Sequence, residues 1–403
     1  MEHQYSKDEL YTIALNLRRW FKTNEYKGID PFQLDEKLFS RNIPFLSVIR
    51  KTLKPFHVLI PNKAFSSLPK IYYPKAFGLI IAGNCLLYKK ISDKQIKAEI
   101  LKENNSLILL LKQTKSHDFQ NFCWGWPFSW GQSPRYPANT ALTCVTSPIL
   151  HGLLDYYIIQ DNEKKTKETI KIQKEIRIII KSAIEFLLLD NKYYEGKDGI
   201  CFYYSHIDKH KAISGNAIAA AFLLRYGTYF KNKELLDIGK KAVLFTLNHQ
   251  EKDGSWKYIV DAEPTKENKV DNRHTGYILE ALTIAHEILT KCKSNNLQKD
   301  IIKDAIQRGL AFYKKNLFDG YLPKWSPEKT YPIDCHDVAQ AIITMQIAGE
   351  KEFAQNILQF AIEKMSNGKD EFYYKYFENG KVNNSVFFRW NQAWMYVAIA
   401  SCY

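Results

Sequence analysis

The sequence lacks the features that mark several large classes of protein. No run approaches the ~20 apolar residues that a transmembrane helix needs, and the first residues are polar where a signal peptide would be apolar. No stretch is rich enough in proline, glycine or serine to be a flexible linker. The seven cysteines are scattered without paired spacing, which favours a reducing compartment. We therefore expect a cytoplasmic protein without a transmembrane segment, whose basic surface could still contact a membrane.

The motifs of common cofactor sites are also missing. There is no glycine-rich phosphate loop, no HExxH and no CxxC pair, so nucleotide hydrolysis and the commonest zinc sites lack support. A zinc site built from Cys123, Cys335 and His336 is the one metal hypothesis left, and the long separation of the two cysteines weakens it. We expect neither a cofactor nor a metal.

The composition is typical of a globular protein with a large core and a basic surface. Of the 403 residues, 45% are hydrophobic and 14% aromatic, which is ample for a core. The formal net charge of +14 comes from 57 Lys and Arg against 43 Asp and Glu. A solvated lysine-rich surface accounts for this excess, and an acidic polymer partner is the alternative. Among such partners we expect an anionic oligo- or polysaccharide and no nucleic acid.

Residues 233–290 contain a unit that organises the rest of the chain. An amphipathic helix over 233–247 has one apolar face and one charged face. The turn signal Asp253-Gly254 and the apolar residues after it favour a short extended hairpin. From Asp271 a second helix starts polar and is then apolar on most sides, which is typical of a helix in the middle of a fold. The unit is therefore an outer helix, a hairpin loop and an inner helix.

This unit recurs six times in diverged form. Outer helices are predicted over 7–23, 93–114, 168–189, 233–247, 298–316 and 351–366. Inner helices are predicted from residue 74 and over 138–157, 211–230, 271–290, 333–348 and 386–402. Six such hairpins bury their inner faces best by closing into a ring. The predicted fold is all-α, an (α/α)6 toroid of six helical hairpins with short β-hairpin loops on one face.

The connections predict where a functional site would lie. We expect a single toroid domain over 1–403, in which 1–73 form the first outer helix and an irregular region and 74–403 the remaining hairpins. Links from inner to outer helices are mostly short, whereas those from outer to inner helices run about twenty residues and carry the aromatics. The inner helices present their N-termini to these long loops, with free N–H groups and a positive dipole end. The site is expected at this mouth.

Aromatic residues in the long loops are candidates for sugar binding. Flat amphipathic rings suit sugars, whose C–H faces stack on them while their hydroxyls seek polar groups nearby. The alternative is that the rings merely plug the ends of the barrel. The candidates are Trp124, Trp126, Trp130, Tyr203, Tyr204, Trp256 and Trp325.

Two histidines stand at equivalent places near the starts of neighbouring inner helices. His336 lies in the sequence Asp334-Cys-His-Asp337, and His274 lies in Asp271-Asn-Arg-His. Helix capping alone explains Asp334 and Asp337, but it does not explain the histidine. Histidines and carboxylates held together can transfer protons at a sugar carbon or a glycosidic oxygen. We therefore take His274, His336, Asp271 and Asp334 as candidate catalytic residues, although a structural role fits each histidine taken alone equally well.

Polar residues at other helix starts are candidate substrate ligands. Arg135 and Arg389 could each hold a carboxylate or phosphate through two parallel hydrogen bonds, or could pair with an acidic residue of a loop. Asn216 and Asn391 could cap helices or bind hydroxyl groups, and the sequence does not separate these roles.

Several short motifs resemble those of a known group of proteins. They are similar to bacterial polysaccharide-biosynthesis proteins of the α/α-toroid type, related to the C-terminal domain of D-glucuronyl C5-epimerases and to six-hairpin glycosidases. The resemblance implies a role in capsule or O-antigen polysaccharide assembly, with an anionic glycan as substrate for epimerisation, lysis or hydrolysis. The motifs are YKGIDPF at 26–32, YPKA at 73–76, WGWPFSW at 124–130, HTGY at 274–277 and RWNQAW at 389–394.

Two other classes of function stay open. A non-catalytic glycan-binding or scaffold protein would keep the aromatic mouth without turning over a sugar. The segment from Gln250 to Trp256 also looks like the repeat motif of terpene cyclases, and such an isoprenoid-handling toroid would have a deep apolar pocket with few polar groups. Five polar helix starts count against that last hypothesis.

Overall fold

Twelve helices alternate between outer and inner positions in the part of the chain that the computed structural model describes, residues 5–33, 67–131, 136–260, 269–291 and 296–403. The outer helices are α1 Lys7–Thr23, α3 Lys94–Gln113, α5 Lys167–Glu185, α7 Lys233–Asn248, α9 Asn296–Asn316 and α11 Lys351–Lys364. The inner helices are α2 Pro74–Lys90, α4 Thr143–Asn162, α6 Ile213–Tyr229, α8 Asn272–Lys291, α10 Cys335–Ile347 and α12 Trp394–Cys402. Single π-helical turns extend α5 and precede α12, over Phe186–Asp190 and Phe388–Ala393.

The inner helices form a closed ring. Each inner helix contacts the next one along the chain, and α12 contacts α2, which closes the circle. The approach of α2 to α4 is close because glycines meet there: a Cβ added at Gly152 would lie 2.4 Å from the carbonyl oxygen of Gly78. The predicted all-α (α/α)6 toroid is therefore confirmed.

The two rings differ in how much of each helix is buried. On α1 the buried residues lie on one face, and its start is fixed by a capping box between Ser6 and Glu9. On α2, by contrast, most side chains are buried, including the polar Lys75 and Asn84. An inner helix is covered by an outer helix on one side and by neighbouring inner helices on two others, which explains why its sequence is apolar nearly all round.

Short strands lie in the links that lead from outer to inner helices. Two pairs are local hairpins, as predicted, and a third set joins a strand before α10 to two strands that precede α12. The pairs are β1 Tyr193–Gly196 with β2 Gly199–Phe202, β5 Phe318–Asp319 with β6 Leu322–Pro323, and β7 Ile333–Asp334 with β8 Lys375–Tyr376 and β9 Val382–Asn383.

The prediction that the residues after Asp253-Gly254 form a local hairpin is wrong, because they pair with a different segment. The extended residues there, β4 Ile259–Val260, pair with β3 Lys211–Ala212, which lies just before α6. The cause is Trp256, which is buried and donates its indole N–H to the carbonyl of Thr246. Because this ring anchors the chain in the core, the residues after it run across to the neighbouring inner helix start instead of folding back.

Most predicted helix boundaries agree with the structure, and one differs clearly. The predicted inner helix over 138–157 begins at Thr143, because the preceding Leu142 is extended and pairs with Ser205. The single-domain division at residue 73 stays a prediction, since most of the predicted irregular region lies outside the described residues. Within the described ranges, no helix has both the length and the apolarity needed to cross a bilayer.

Candidate active site

The start of α8 carries a histidine held by an aspartate. Nδ1 of His274 lies 2.6 Å from Oδ2 of Asp271, whose other oxygen accepts the His274 backbone N–H at 2.9 Å. Burial pushes the pKa of Asp271 up, but the adjacent imidazole and Arg273 outweigh it and lower the pKa below its usual value. The Asp271 carboxylate orients the ring so that Nδ1 faces it, which leaves Nε2 as the nitrogen that a ligand could contact. The His274 side chain is 28% exposed, so a substrate could reach it.

The start of α10 carries a histidine enclosed by aromatic rings. The His336 ring lies 4.5 Å from the ring of Trp390 and 4.7 Å from that of Trp394, measured between centroids. Its Nε2 is 2.6 Å from the hydroxyl of Tyr277. The prediction that Asp334 partners the imidazole is wrong. Asp334 instead caps α10, where it accepts the His336 backbone N–H at 2.9 Å and the Trp390 indole N–H at 2.8 Å. His336 itself is 2% exposed.

The surroundings of His336 favour its neutral form. Burial lowers its pKa well below the usual value, and the nearby cations Arg273, Arg389 and Lys75 lower it further. Burial also raises the pKa of Tyr277 well above its usual value, so this phenol keeps its proton and can donate it to Nε2 of His336. An anion bound beside these cations would ease protonation of the imidazole.

Tyr277 connects the two histidines. It lies on α8, three residues after His274, and its ring centroid is 6.0 Å from each of the two imidazole centroids. The structure therefore brings the two histidines that the sequence analysis placed at neighbouring helix starts close to one phenol.

The arginines of the mouth are paired with buried carboxylates. Nε of Arg273 lies 2.9 Å from Asp337, and a guanidinium nitrogen of Arg389 lies 2.6 Å from Asp30. All four side chains are nearly inaccessible. The predicted role of Arg389 in holding a substrate acid is therefore corrected to the alternative, an ion pair with an acidic loop residue. Arg135 lies outside the described residues.

Lys75 is a buried cation of a different kind. Its side chain leaves the first turn of α2 and is 5% exposed. Its Nζ lies 5.4 to 5.6 Å from the ring centroids of Trp126, Tyr277 and Trp394. Burial lowers the pKa of this lysine to about 8.

The interior of the ring stays polar beyond the mouth. Glu280 lies one turn past Tyr277 on α8, and burial raises its pKa although Gln340 donates a hydrogen bond to it at 2.7 Å. Still further along, Arg225 of α6 binds Asp155 at 2.6 Å and His151 at 2.9 Å, both on α4. These charged groups do not fit the deep apolar pocket expected of an isoprenoid-handling toroid.

Two of the predicted sugar-stacking tryptophans are packing residues. Trp124 and Trp256 are both fully buried, and each donates its indole N–H to a main-chain carbonyl. Their rings have no open face, because the loop that carries each one folds back on the core. For these two positions the plugging alternative is correct.

The other three tryptophans are accessible to different degrees. Trp126 is half-buried, with the guanidinium of Arg389 4.4 Å from its ring centroid. Trp130 is also half-buried and packs edge-on against Phe32 at 4.6 Å. Trp325 is 37% exposed, with the guanidinium of Arg273 at 4.7 Å. Of the three, Trp126 belongs to the same cluster as Lys75.

Among the remaining predicted ligands, the two asparagines serve the fold, and the role of the Tyr203 side chain stays a prediction. Asn216 and Asn391 are fully buried, and their amide groups donate to main-chain carbonyls, so neither can bind a hydroxyl of a ligand. Tyr203 uses its main-chain carbonyl to accept the hydroxyl of Thr143. Tyr204 is 8% exposed and lies 5.5 Å from Tyr136, between ring centroids.

Sequence reasoning missed six residues that lie in or near the first turns of three inner helices. Their signal was present, because most fall within the short motifs that carried the resemblance, but a single sequence gave no reason to choose them. They are Lys75, Arg273, Tyr277, Glu280, Trp390 and Trp394.

Metal ligation finds no support in the geometry. Cys123 lies in the loop before α4 and its thiol contacts the main chain of Asn121, whereas His336 is enclosed by rings at the start of α10. Across the described ranges, no group of three or more His, Cys, Asp or Glu residues could hold a metal ion.

Comparisons with known proteins give the fold and no closer relationship. No protein-family model matches the sequence, and no curated protein sequence matches it. D-mannose isomerase superposes with a TM-score of 0.62 at 10% identity, over 99% of this chain and 97% of its own. A possible member of the GH105 family from Klebsiella pneumoniae gives 0.64 at 9% identity, over 100% of this chain and 94% of its own. Cellobiose 2-epimerase from Bacillus thermoamylovorans gives 0.59 at 9% identity, over 82% and 87%.

At these identities the likeness is one of architecture. It agrees with the ring seen in the contacts between inner helices and with the resemblance found in the sequence motifs. The chain therefore has an (α/α)6 toroid fold like that of these solved structures.

Proposed function

We propose that this protein transfers a proton at a carbon atom of a saccharide, as an epimerase or isomerase. The observation that carries the proposal is the pair of imidazoles whose centroids each lie 6.0 Å from the ring of Tyr277, with Nδ1 of His274 held by Asp271 so that Nε2 can face a substrate. A carbon acid needs a base on one side of the carbon and a proton donor within reach. The names of two similar structures, D-mannose isomerase and cellobiose 2-epimerase, support the same class of reaction.

In this proposal His274 removes a proton from the carbon next to a carbonyl group, and His336 with Tyr277 exchanges a proton on the other side. Trp126 offers an aromatic face to the sugar ring. We further propose, from the resemblance and the basic charge, that the substrate is an anionic glycan of surface-polysaccharide assembly and that the protein works in the cytoplasm.

Hydrolysis is a second candidate, and one observation favours it. Burial raises the pKa of Glu280, which is the property of a general acid in a glycosidase. It is the weaker candidate because hydrolysis needs a second free carboxylate, and Asp271, Asp334 and Asp337 each bind a partner within the protein.

The decisive experiment is incubation in deuterated water with D-mannose, cellobiose, D-glucuronate and uronate-containing oligosaccharides, followed by NMR of the sugar. We expect deuterium to enter at a carbon adjacent to the carbonyl or carboxylate. Release of a reducing end without such exchange would move the assignment to hydrolysis. Binding without either reaction would leave the non-catalytic glycan-binding protein as the better description.

A further inference from the structure

Lys75 differs from the two buried arginines described at the mouth of the ring, Arg273 and Arg389. Arg273 and Arg389 are each neutralised by a buried carboxylate. Lys75 is buried to the same degree, but within the described ranges no carboxylate forms an ion pair with it. Three aromatic rings surround its ammonium group instead. The rings offset part of the loss of water through cation–π attraction, but they carry no charge. The positive field of Lys75 therefore stays available to an incoming anion.

The groups that face Lys75 come from four parts of the ring. Burial has the largest effect and lowers its pKa to about 8; Arg389, before α12, lowers it further, whereas Cys144 of α4 and Glu280 of α8 act in the opposite direction. His336 of α10 is close enough for the lysine to lower its pKa in turn. The ammonium group thus lies near enough to the Glu280 carboxyl group and the His336 imidazole to interact electrostatically with both.

We propose that Lys75 is a catalytic residue, whose ammonium group binds the oxygen atom that becomes negative when a proton leaves the neighbouring carbon. The role rests on the proposed function. When His274 takes the proton, the C–H electron pair forms a double bond to the carbonyl carbon, and the carbonyl π pair moves onto oxygen. Lys75 donates a hydrogen bond to that oxygen, and no bond to its nitrogen breaks. Return of the proton to carbon restores the carbonyl group, so no oxidant or reductant is needed.

Lys75 suits this role because its positive charge is not paired with a carboxylate. A charge aimed at an oxygen that turns negative stabilises the transition state only if no carboxylate has already cancelled it. Arg273 and Arg389 each lie within ion-pair distance of a carboxylate, whereas Lys75 contacts three rings that carry no charge. An ammonium group with a pKa of about 8 is also protonated at neutral pH, as this role requires.

The test compares two lysines of the same helix. Lys75→Met should lower the rate of deuterium incorporation into the best of D-mannose, cellobiose and D-glucuronate by about 10²- to 10³-fold. Lys90→Met, exposed at the other end of α2, should leave the rate unchanged. In the wild-type protein the rate should fall as the pH rises through about 8, because the ammonium form is lost. Lys75→Arg should keep part of the activity and move that fall to higher pH.

A measurement without substrate covers the case in which Lys75→Met fails to fold. Lysines methylated with 13C-formaldehyde are titrated by NMR, and the signal lost in Lys75→Arg is expected to titrate near pH 8. A titration at the ordinary lysine value would overturn the premise of an unneutralised cation. If the wild type catalyses exchange, and Lys75→Met and Lys75→Arg have the same rate and pH profile, the role of Lys75 is overturned while the proposed function stands. No exchange by the wild type on any of these sugars would overturn the proposed function and this role with it.

Discussion

The starts of α8 and α10 carry the same residue types, yet they hold their histidines in opposite ways. At α8 the aspartate and the histidine are three residues apart, and Asp271 reaches the imidazole of His274. At α10 they are two residues apart, and Asp334 caps the helix while the ring of His336 turns into an aromatic cage. One turn of helix places residues three apart side by side but not residues two apart. A difference of one position in spacing thus separates an oriented base from an enclosed imidazole.

The comparison also separates an open half of the mouth from a closed half. His274 and Trp126 are partly accessible, whereas His336, Asp334 and Asp337 are buried with their partners. We expect the open half to govern the chemical step and the closed half to govern stability and the protonation of His336.

Replacement of His274, in the open half of the mouth, should remove most of the exchange activity. His274→Asn removes the free base, and deuterium exchange should fall by about 10²- to 10⁴-fold, the range for a general base. His286→Asn, on the same helix but about 18 Å further along at 1.5 Å per residue, is the matched control. Equal exchange rates in the two variants would show that His274 is not the base.

Replacement of Arg273, in the closed half of the mouth, should lower the stability of the protein. Arg273→Met leaves Asp337 buried without its cation, which costs about 3–5 kcal/mol of unfolding free energy at neutral pH. The loss should shrink on acidification, since burial already raises the pKa of Asp337 and protonation would remove the charge. Arg308→Met breaks an exposed pair with Asp304 and should cost less than about 1 kcal/mol. Denaturant titrations of both variants decide, and equal losses would contradict a buried, structural role for the Arg273 pair.

The buried imidazole of His336 should make stability depend on pH. Its folded pKa lies well below the unfolded value of about 6.5, so below pH 6.5 the unfolded chain binds the extra proton and folding becomes less favourable. The loss is up to about 1.4 kcal/mol per pH unit, or about 2 kcal/mol between pH 6.5 and 5. His336→Gln should flatten this slope, as should His151→Gln, since burial lowers the pKa of His151 to about 4. A slope unchanged in His336→Gln would mean that the pKa of this imidazole is the same in the folded and the unfolded protein.

Replacing a partly accessible tryptophan and a buried one should have different, small effects on sugar affinity. Trp126→Ala should weaken binding of the best sugar by about 0.5–1.5 kcal/mol, as expected for loss of one stacking face. Trp256→Phe should leave sugar affinity unchanged and lower the unfolding free energy, because its indole N–H holds the loop to α7. Calorimetry of both variants provides the measurement, and a loss of affinity in Trp256→Phe alone would reverse the assignment.

Much of the architecture could be read from the sequence because it depends on local periodicity. The period of apolar residues predicted α1 at 7–23, and the proline at position 74 predicted the start of α2; both are confirmed. Residue spacing also placed His274 and His336 at neighbouring helix starts. The partner of β4 could not be read in this way, because strand pairing is non-local and depends on where Trp256 is anchored.

The candidate site was harder to predict than the fold, since one residue type serves several roles. Asn216, Asn391 and Trp124 sit where ligand-binding residues would sit, and only their hydrogen bonds show that they serve the fold. Lys75 is the opposite case: it is a candidate site residue, but in the sequence nothing distinguishes it from the many other lysines of a basic protein.

By itself the sequence determined an all-α ring and a mouth rich in polar and aromatic groups, since helical periodicity and loop length are properties of short segments. Only the tertiary structure decided which charges are neutralised and which stay free. Whether Arg389 meets Asp30, and whether Lys75 meets rings or an acid, depends on elements far apart in the chain that closure of the ring brings together.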